Sequence, residues 1–336
     1  MRAITLLLLV VLAGCAAGEA ETPVFIDDFI TRSTTLACEP APAPSARRST
    51  ITSIAAHGDT SFLVLYGEDR EVVLLGPDLE VRNRITLDTA GPAGMRMPTG
   101  IALQDDSVLV VADQLGTKLQ RFDLHGRHLG SIDLDFAPQE VHRTGDRLLV
   151  TPFVIRNYPQ SMLFTVDRSG EAEPLSFPTV RYRDGLVNTF ANTAQVATFP
   201  DGRIVVTHLL MVPFARVLTP TSPAPVRLPL PLPDGVHRLY GKVPTGSWTE
   251  GRADDVLFAT IASAADPATG DLLYLTKTGR TAEYGSEKAI IRVDRELHYL
   301  RSHLLDINAT RLIYLAGPQV AIIATTNDEL YRCPIP

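Results

Sequence analysis

Cations and aromatic side chains are concentrated in the connecting segments of this chain, although the whole chain is acidic, with a formal net charge of −7. Arginine presents a planar fork of donors that fits carboxylate or phosphate groups, and flat aromatic rings suit sugars or peptide side chains. The alternative is that these residues coat long loops and pack them against the body of the protein. The candidate ligand-binding residues are Arg156, Tyr158, Arg181, Tyr182, Arg183, His208, His237, Arg238, Tyr240 and Trp248.

The sequence lacks the spacings that metal and nucleophile chemistry require. No HExxH, CxxC or EF-hand pattern is present, and His125 and His128 fall in a short turn. Gly246-Ser247-Trp248 has only the first half of a nucleophile elbow. Residues 266–271 could be mistaken for a calcium loop but are better explained as a hairpin turn. We therefore predict no metal, no cofactor and no catalytic residue.

The elements that must position the candidate residues are short strands. Residues 99–134 contain four strand-like runs, TGIALQ, SVLVVAD, KLQRFDL and HLGSIDL, separated by turn residues. A four-stranded sheet alone cannot bury both of its faces, so such units must stack against one another. The turn between the first two runs recurs at intervals of 40 to 70 residues, marked by Asp59, Asp106, Asp146, Asp201, Asp271 and Pro318.

The unit at residues 99–134 also carries a family resemblance. Pro98-Thr99-Gly100-Ile101-Ala102 and Val110-Val111-Ala112-Asp113 resemble the repeat of NHL and TolB-like six-bladed β-propellers. The other copies match in turn chemistry and spacing but lack the full signature. The resemblance implies an all-β, six-bladed β-propeller of four-stranded antiparallel blades. Such propellers include lyases, lactonases and plain interaction scaffolds, so the fold does not choose a function.

The N-terminus has the pattern of a bacterial lipoprotein signal. Met1–Cys15 carries one early positive charge, an apolar run and then Leu12-Ala13-Gly14-Cys15. The apolar run is far shorter than the ~20 residues that span a bilayer. An ordinary signal peptide with a chance cysteine, or a short membrane helix, is the alternative. We predict a signal peptide at 1–14, a spacer at 15–23 with lipid on Cys15, and one propeller domain at 24–336.

The sixth unit lacks one strand, which indicates that the N-terminal segment supplies it. Residues 24–30 and 33–37 are strand-like, and we expect residues 33–38 to pair beside residues 330–333. The closing strand of the ring is thus predicted within residues 24–38. This pairing would bring Cys38 close to Cys333, and in an oxidising compartment the two would form a disulfide. The alternative is two buried thiols.

The propeller geometry predicts where the candidate residues lie. Connections between blades and loops between second and third strands emerge on one side of the ring, the long-loop face, and all ten candidate ligand-binding residues are predicted there. The innermost strands are predicted at residues 51–56, 100–103, 139–143, 192–198, 256–261 and 311–315. Their few polar side chains include too few acids for a divalent-cation site and can also satisfy one another. These side chains are Glu140, His142, Asn192, Gln195 and Arg311.

These observations predict a lipid-anchored cell-envelope binding or scaffold module, whose long-loop face binds a protein, peptide or glycan partner. Ala16 after the lipid-bearing cysteine favours outer-membrane delivery. The acidic charge argues against nucleic-acid partners. The alternative function is a hydrolase or lyase that acts at the mouth of the central channel on an anionic or sugar-like substrate. A purely structural envelope component is a third possibility.

Overall fold

The N-terminal segment wraps around the outside of the molecule before the first blade begins. The computed structural model describes residues 24–41, 50–88, 94–105, 107–153, 161–177, 192–209, 214–222, 224–234, 260–278 and 288–335. In the N-terminal segment lie β1 (Phe25–Ile26), α1 (Phe29–Arg32), β2 (Thr34–Thr35) and β3 (Glu39–Pro40). Phe29 is fully buried and anchors this segment against the sheets.

Six antiparallel sheets follow, and each is a blade of a β-propeller, which confirms the predicted fold class. Blade one contains β4 (Ile51–Ala56), β5 (Phe62–Tyr66), β6 (Glu71–Leu75) and β7 (Val81–Thr86). Blade two contains β8 (Pro98–Gln104), β9 (Val108–Asp113), β10 (Lys118–Asp123) and β11 (His128–Asp133). Blade three contains β12 (Pro138–Thr144), β13 (Arg147–Pro152), β14 (Phe164–Val166) and β15 (Ala172–Pro174).

The second half of the ring repeats this plan. Blade four contains β16 (Ala194–Thr198), β17 (Ile204–His208), β18 (Phe214–Leu218) and β19 (Val226–Pro229), followed by β20 (Leu232–Pro233). Blade five contains β21 (Ala262–Ala265), β22 (Leu272–Lys277), β23 (Lys288–Val293) and β24 (Tyr299–Leu305). Blade six contains β25 (Ala309–Leu315), β26 (Val320–Thr325) and β27 (Leu330–Pro334), with β3 as its outer strand.

The hydrophobic core is a ring of separate clusters, one between each pair of neighbouring blades. The second strand of each blade has neighbours on both faces, so it reads as a continuous apolar run rather than an alternating one. In β26, Val320–Thr325, every residue is buried. Because each blade buries its faces only against its neighbours, the ring must close for the first and last blades to be covered.

The ring closes as predicted with an N-terminal strand, but that strand lies just beyond the predicted range of residues 24–38. Glu39 and Pro40 pair antiparallel with Arg332 and Tyr331 in β27. Cys38 and Cys333 form the predicted disulfide. The prediction that residues 33–38 pair beside residues 330–333 is wrong, because Thr34 and Thr35 instead run parallel to β24 as a fifth strand of blade five.

Two further strand predictions need correction. Residues 24–30, read as one strand, form the two-residue β1 beside β20 and then enter α1. The innermost strand of blade five is Ala262–Ala265 rather than residues 256–261, of which 256–259 lie outside the described residues. An alanine-rich strand has low intrinsic β propensity, and only its packing between blades selects it.

Candidate functional site

The ends of the described strands define two sides of the ring. In blade three, the end of β13 at Pro152 lies opposite the beginning of β12 at Pro138. In blade five, the end of β22 at Lys277 lies opposite the beginning of β23 at Lys288. Loops between second and third strands and connections between blades therefore begin and end on one side, the long-loop face. We call the opposite side, which carries the turns between first and second strands, the hairpin face.

His208 is the one candidate ligand-binding residue that falls within the described residues. The other nine, from Arg156 to Trp248, lie outside them, as do the proposed signal peptide, spacer and Cys15. His208 ends β17 and is fully buried, with its ring edge-on to Phe214 at a centroid distance of 5.7 Å. The ring thus packs inside blade four, and the assignment of His208 to a ligand-binding site stays a prediction.

The central channel brings together four of the polar residues predicted on the innermost strands. Glu140, His142, Gln195 and Arg311 line one cavity of about 480 Å³. Asn192 precedes β16 and is buried. The remaining walls are mostly small or apolar, with alanines at positions 55, 56, 102, 197, 262, 264 and 265. Small side chains on the innermost strands leave the axis of the ring open.

A repeated backbone irregularity places these side chains at one level of the channel. The pairing register shifts by one residue near the beginning of β4, β8, β12 and β25. After each shift, the equivalent positions are Ser53, Gly100, Glu140 and Arg311. Each β-bulge leaves one backbone group outside the ladder and changes the direction of the following side chain. At the bulge in blade three, the backbone N–H of Glu140 donates to Thr151 Oγ1 at 3.0 Å.

Gly100 and Asp113, which carry the family resemblance, both have structural roles at this level. A Cβ atom at Gly100 would lie 2.7 Å from the Cα of Glu140 and 3.0 Å from the carbonyl oxygen of Gln139, so only glycine allows blade three to approach this closely. The carboxylate of Asp113 is fully buried and accepts the backbone N–H groups of Arg96 and Met97. Asp113 thereby fixes the segment that leads into β8.

Glu140 is the centre of a charged group in the channel. Its Oε1 accepts a hydrogen bond from Arg311 Nη1 at 3.3 Å, and its Oε2 lies 3.4 Å from His142 Nε2. The second distance is long for a hydrogen bond and describes an ion pair when His142 is protonated. Burial raises the pKa of Glu140, but His142 and Arg311 together outweigh it and leave the pKa below its usual value. Glu140 is therefore a carboxylate at neutral pH.

Other groups that resemble sites have structural explanations. Asp294, Glu296 and His298 could place ligand atoms within 4.8 Å of one another in a turn of blade five. The Asp294 carboxylate there already accepts the backbone N–H groups of Glu296 and His298, which is ordinary turn geometry. Residues 266–271 form the predicted hairpin turn between β21 and β22. The buried guanidinium of Arg292 holds that turn through ion pairs to Asp266 at 2.6 Å and Asp271 at 2.7 Å.

Comparison with solved structures places the chain among β-propellers. A member of the DUF4221 family from Bacteroides vulgatus superposes with a TM-score of 0.62 at 10% sequence identity, over 89% of this chain and 96% of that chain. A putative exported protein from Bacteroides fragilis superposes with a TM-score of 0.58 at 9% identity, over 94% and 98% of the two chains.

A third similar structure belongs to an enzyme. It is a catalytically inactive histidine-to-alanine variant of virginiamycin B lyase from Staphylococcus aureus with quinupristin. Its TM-score is 0.53 at 11% identity, over 87% of this chain and 83% of that chain. No protein-family model matches the sequence, and no curated protein matches it. At these identities the similarity establishes the fold alone.

Proposed function

We propose that this protein is a lipid-anchored cell-envelope module that binds a protein, peptide or glycan through its long-loop face. The observation that carries the proposal is the direction of the described strands. The segments at 154–160, 178–191, 210–213 and 235–259 each connect strands of the blades whose facing ends lie on this side of the ring. Nine of the ten candidate ligand-binding residues belong to these segments. A rigid ring with several long connecting segments attached on one side is a common arrangement for a binding site.

Several observations support an envelope location. The sequence of Met1–Cys15 fits lipidation of Cys15, and Ala16 fits delivery to the outer membrane. The disulfide between Cys38 and Cys333 suits an oxidising compartment. One similar structure is a putative exported protein. Within the described residues, no helix is long and apolar enough to cross a bilayer.

We also retain the NHL or TolB-like relationship as part of the proposal. The residues that carry it, Gly100 and Asp113, have the contacts expected of a blade signature. Gly100 permits the close approach of the next blade, and Asp113 accepts backbone N–H groups from the preceding connection. These contacts in blade two support a relationship between this chain and the NHL or TolB-like propellers.

The proposal is tested by affinity capture with the chain from Ala16 onward, using envelope extract and then the purified captured partner. Replacing both Arg181 and Arg183 by alanine should abolish capture, because cations on the long-loop face would contact the partner. The matched control replaces Arg127 and Arg168, two exposed arginines in turns of the hairpin face that pair with Asp123 and Asp105. If the variant without Arg181 and Arg183 still captures the partner, or if the control variant loses capture equally, the long-loop face is not the binding surface.

The lipid anchor has its own test. Mass spectrometry of the full chain expressed in a diderm bacterium should show an acylated N-terminal Cys15, with the protein in the outer-membrane fraction. A Cys15→Ser variant should appear in the soluble envelope fraction. An unmodified Cys15 in the mature protein would contradict the anchor.

A second candidate function is a hydrolase or lyase that acts at the channel mouth on an anionic or sugar-like substrate. The observation that favours it is the convergence of Glu140, His142 and Arg311 on one cavity. A histidine oriented by a carboxylate can transfer protons, and an arginine can stabilise developing negative charge. The lyase with a similar fold is inactive as a histidine-to-alanine variant. Turnover of chromogenic esters and glycosides, lost in His142→Asn and kept in His125→Asn, would support this function.

A further inference from the structure

The Arg311–Glu140 ion pair spans the central channel. Six hydrophobic clusters each join two consecutive blades, so the blades form a ring of six. In such a ring, blade three lies opposite blade six. Glu140 belongs to blade three and Arg311 to blade six, yet Arg311 Nη1 lies 3.3 Å from Glu140 Oε1. Both residues are third in their innermost strands, near the long-loop face. The pair is therefore a bar across that end of the channel.

The cavity extends from this bar towards the hairpin face. Its lining begins at Ser53, Glu140 and Arg311 and omits the first two residues of β4, β12 and β25. It continues to the turns at residues 57–59 and 143–145 and to Pro200 and Pro267. A ligand in this cavity would thus enter from the hairpin face and meet the charged groups at the inner end. That entrance is on the side of the ring opposite the long loops.

The guanidinium of Arg311 at the inner end can accept an anionic group. The side chain of Arg311 is 33% exposed, and among the described contacts it makes one hydrogen bond, to Glu140. A guanidinium has five N–H donors, so Arg311 can pair with Glu140 and also with a second acceptor. His142, which lies against the other oxygen of Glu140, adds a positive charge when protonated. Among the residues that the structure describes, Glu140 is the single carboxylate that lines the cavity at this level, whereas Asp59 lies at its entrance.

The walls of the cavity beyond its inner end would contact the non-acidic part of the ligand. Away from the inner end, its walls combine aliphatic side chains, including Ile54, Ile101 and Leu312, with polar side chains such as Thr144, Thr198 and Ser263. Pockets for small molecules are commonly apolar with a few polar groups that fix orientation. A ligand with an apolar body and one acidic group would match both parts of this cavity.

We propose that the central channel is a binding site for a small carboxylate with an apolar body, which enters from the hairpin face and pairs with Arg311 at the bar between blades three and six. The inference goes beyond the long-loop face, because it concerns a second site, inside the channel, whose entrance is on the other side of the ring. It holds whether or not the channel also supports catalysis. Glu140 holds Arg311 in place in the free protein and competes with the ligand for the guanidinium.

The test compares two probes of nearly equal shape, para-trifluoromethylbenzoate and the neutral para-trifluoromethylbenzamide, by fluorine NMR titration of the chain from Ala16 onward. The wild-type protein should bind the benzoate at least about tenfold more tightly than the benzamide, because only the benzoate makes charge-assisted hydrogen bonds to Arg311. Arg311→Gln should lose that preference. Glu140→Gln should bind the benzoate more tightly than wild type, because the competing charge is removed.

Arg84→Gln is the matched control, since Arg84 pairs with Glu71 on the outer part of blade one and should leave both affinities unchanged. Equal affinity of the wild type for the two probes, or an unchanged benzoate preference in Arg311→Gln, would overturn the inference. If Arg311→Gln fails to fold, the affinities of the wild type and of Glu140→Gln for the two probes still test the inference. Partner capture by Arg311→Gln should remain normal, so failure of this inference is distinguishable from failure of the long-loop-face proposal.

Discussion

Removing the Cys38–Cys333 disulfide should destabilise the protein at the closure between its first and last strands. The bridge joins residues 295 positions apart. The noncovalent closure is small by comparison: among the described residues, β3 contributes the pairs Pro40–Tyr331 and Glu39–Arg332, an exposed ion pair between Glu39 and Arg332, and the neighbouring Ala41 N–H donates to the Leu330 carbonyl. We therefore expect the double variant Cys38→Ala/Cys333→Ala to fold into the same ring with a weaker closure.

The expected magnitude follows from the length of the loop. In the chain-entropy model, a bridge across about 295 residues removes conformational freedom from the unfolded chain worth about 5–6 kcal/mol at room temperature. The unfolding entropy of a domain of this size is roughly 0.65 kcal/mol/K, so the full effect lowers Tm by about 8 °C. Any residual structure in the unfolded chain would reduce this value.

The assay is calorimetric melting of the wild type and the double variant, combined with amide hydrogen exchange. Exchange should quicken first in residues 330–335 and 39–41, because opening of the closure exposes β27 and β3. Wild-type protein reduced under mild denaturant and alkylated should behave like the double variant. A Tm within about 2 °C of wild type, or unchanged exchange in β27, would refute the view that the bridge holds the ring closed.

Two further predictions concern single positions. Gly100→Ala should cost about 1–3 kcal/mol of stability, measured by denaturant unfolding, and should weaken benzoate binding, because its Cβ would push against the backbone of Glu140; unchanged binding would contradict this. Burial lowers the pKa of His303 to about 4 from 6.5, with contributions from Arg301 and Arg292. The unfolded chain then binds more protons between those pH values, so stability should fall as pH drops from 6.5 towards 4. His303→Asn should flatten that fall, whereas His298→Asn at an exposed position should leave it, and parallel pH profiles for wild type and His303→Asn would count against the assignment.

The blade repeat could be predicted because its signals are local. Turn residues mark the hairpin between the first and second strands of each blade, apolar runs mark the second strands, and the sequence of residues 99–134 displays a whole blade without reference to other segments. The deficit of one strand in blade six also follows from counting, and it correctly predicts that Cys38 and Cys333 meet. The pairing of the N-terminal segment with blade six can be predicted from the number of strands in the repeat, whatever the intrinsic strand preference of that segment.

The exact closing strand could not be predicted, because intrinsic preference favours the wrong residues. Ser33–Ala37 contains two threonines and a leucine and reads as a better strand than Glu39–Pro40. The structure uses the former to extend blade five and the latter to complete blade six. The same conflict misplaced the innermost strand of blade five, where an apolar run at 256–261 precedes the alanine-rich β21. Tertiary packing decides both cases.

The sequence predicts which residues of the channel site lie on innermost strands but not that their side chains converge. Glu140, His142, Gln195 and Arg311 could be assigned to innermost strands from the repeat alone. Their convergence depends on the bulges at the beginnings of β12 and β25 and on the opposite positions of blades three and six. Neither an irregularity in strand pairing nor a contact across the ring leaves a local sequence signal. The number of blades was the one clue, since it makes blades three and six opposite.

The arrangement of Glu140 and Arg311 across the channel can be measured directly by carbon NMR titration of the Glu140 carboxyl group in protein labelled at glutamate. The Glu140→Gln variant identifies the signal. The pKa of Glu140 in the wild type should lie below the usual glutamate value, and it should rise in Arg311→Gln because burial is then less well opposed. An identical pKa in the two proteins would show that Arg311 does not reach Glu140, and the channel site would be contradicted.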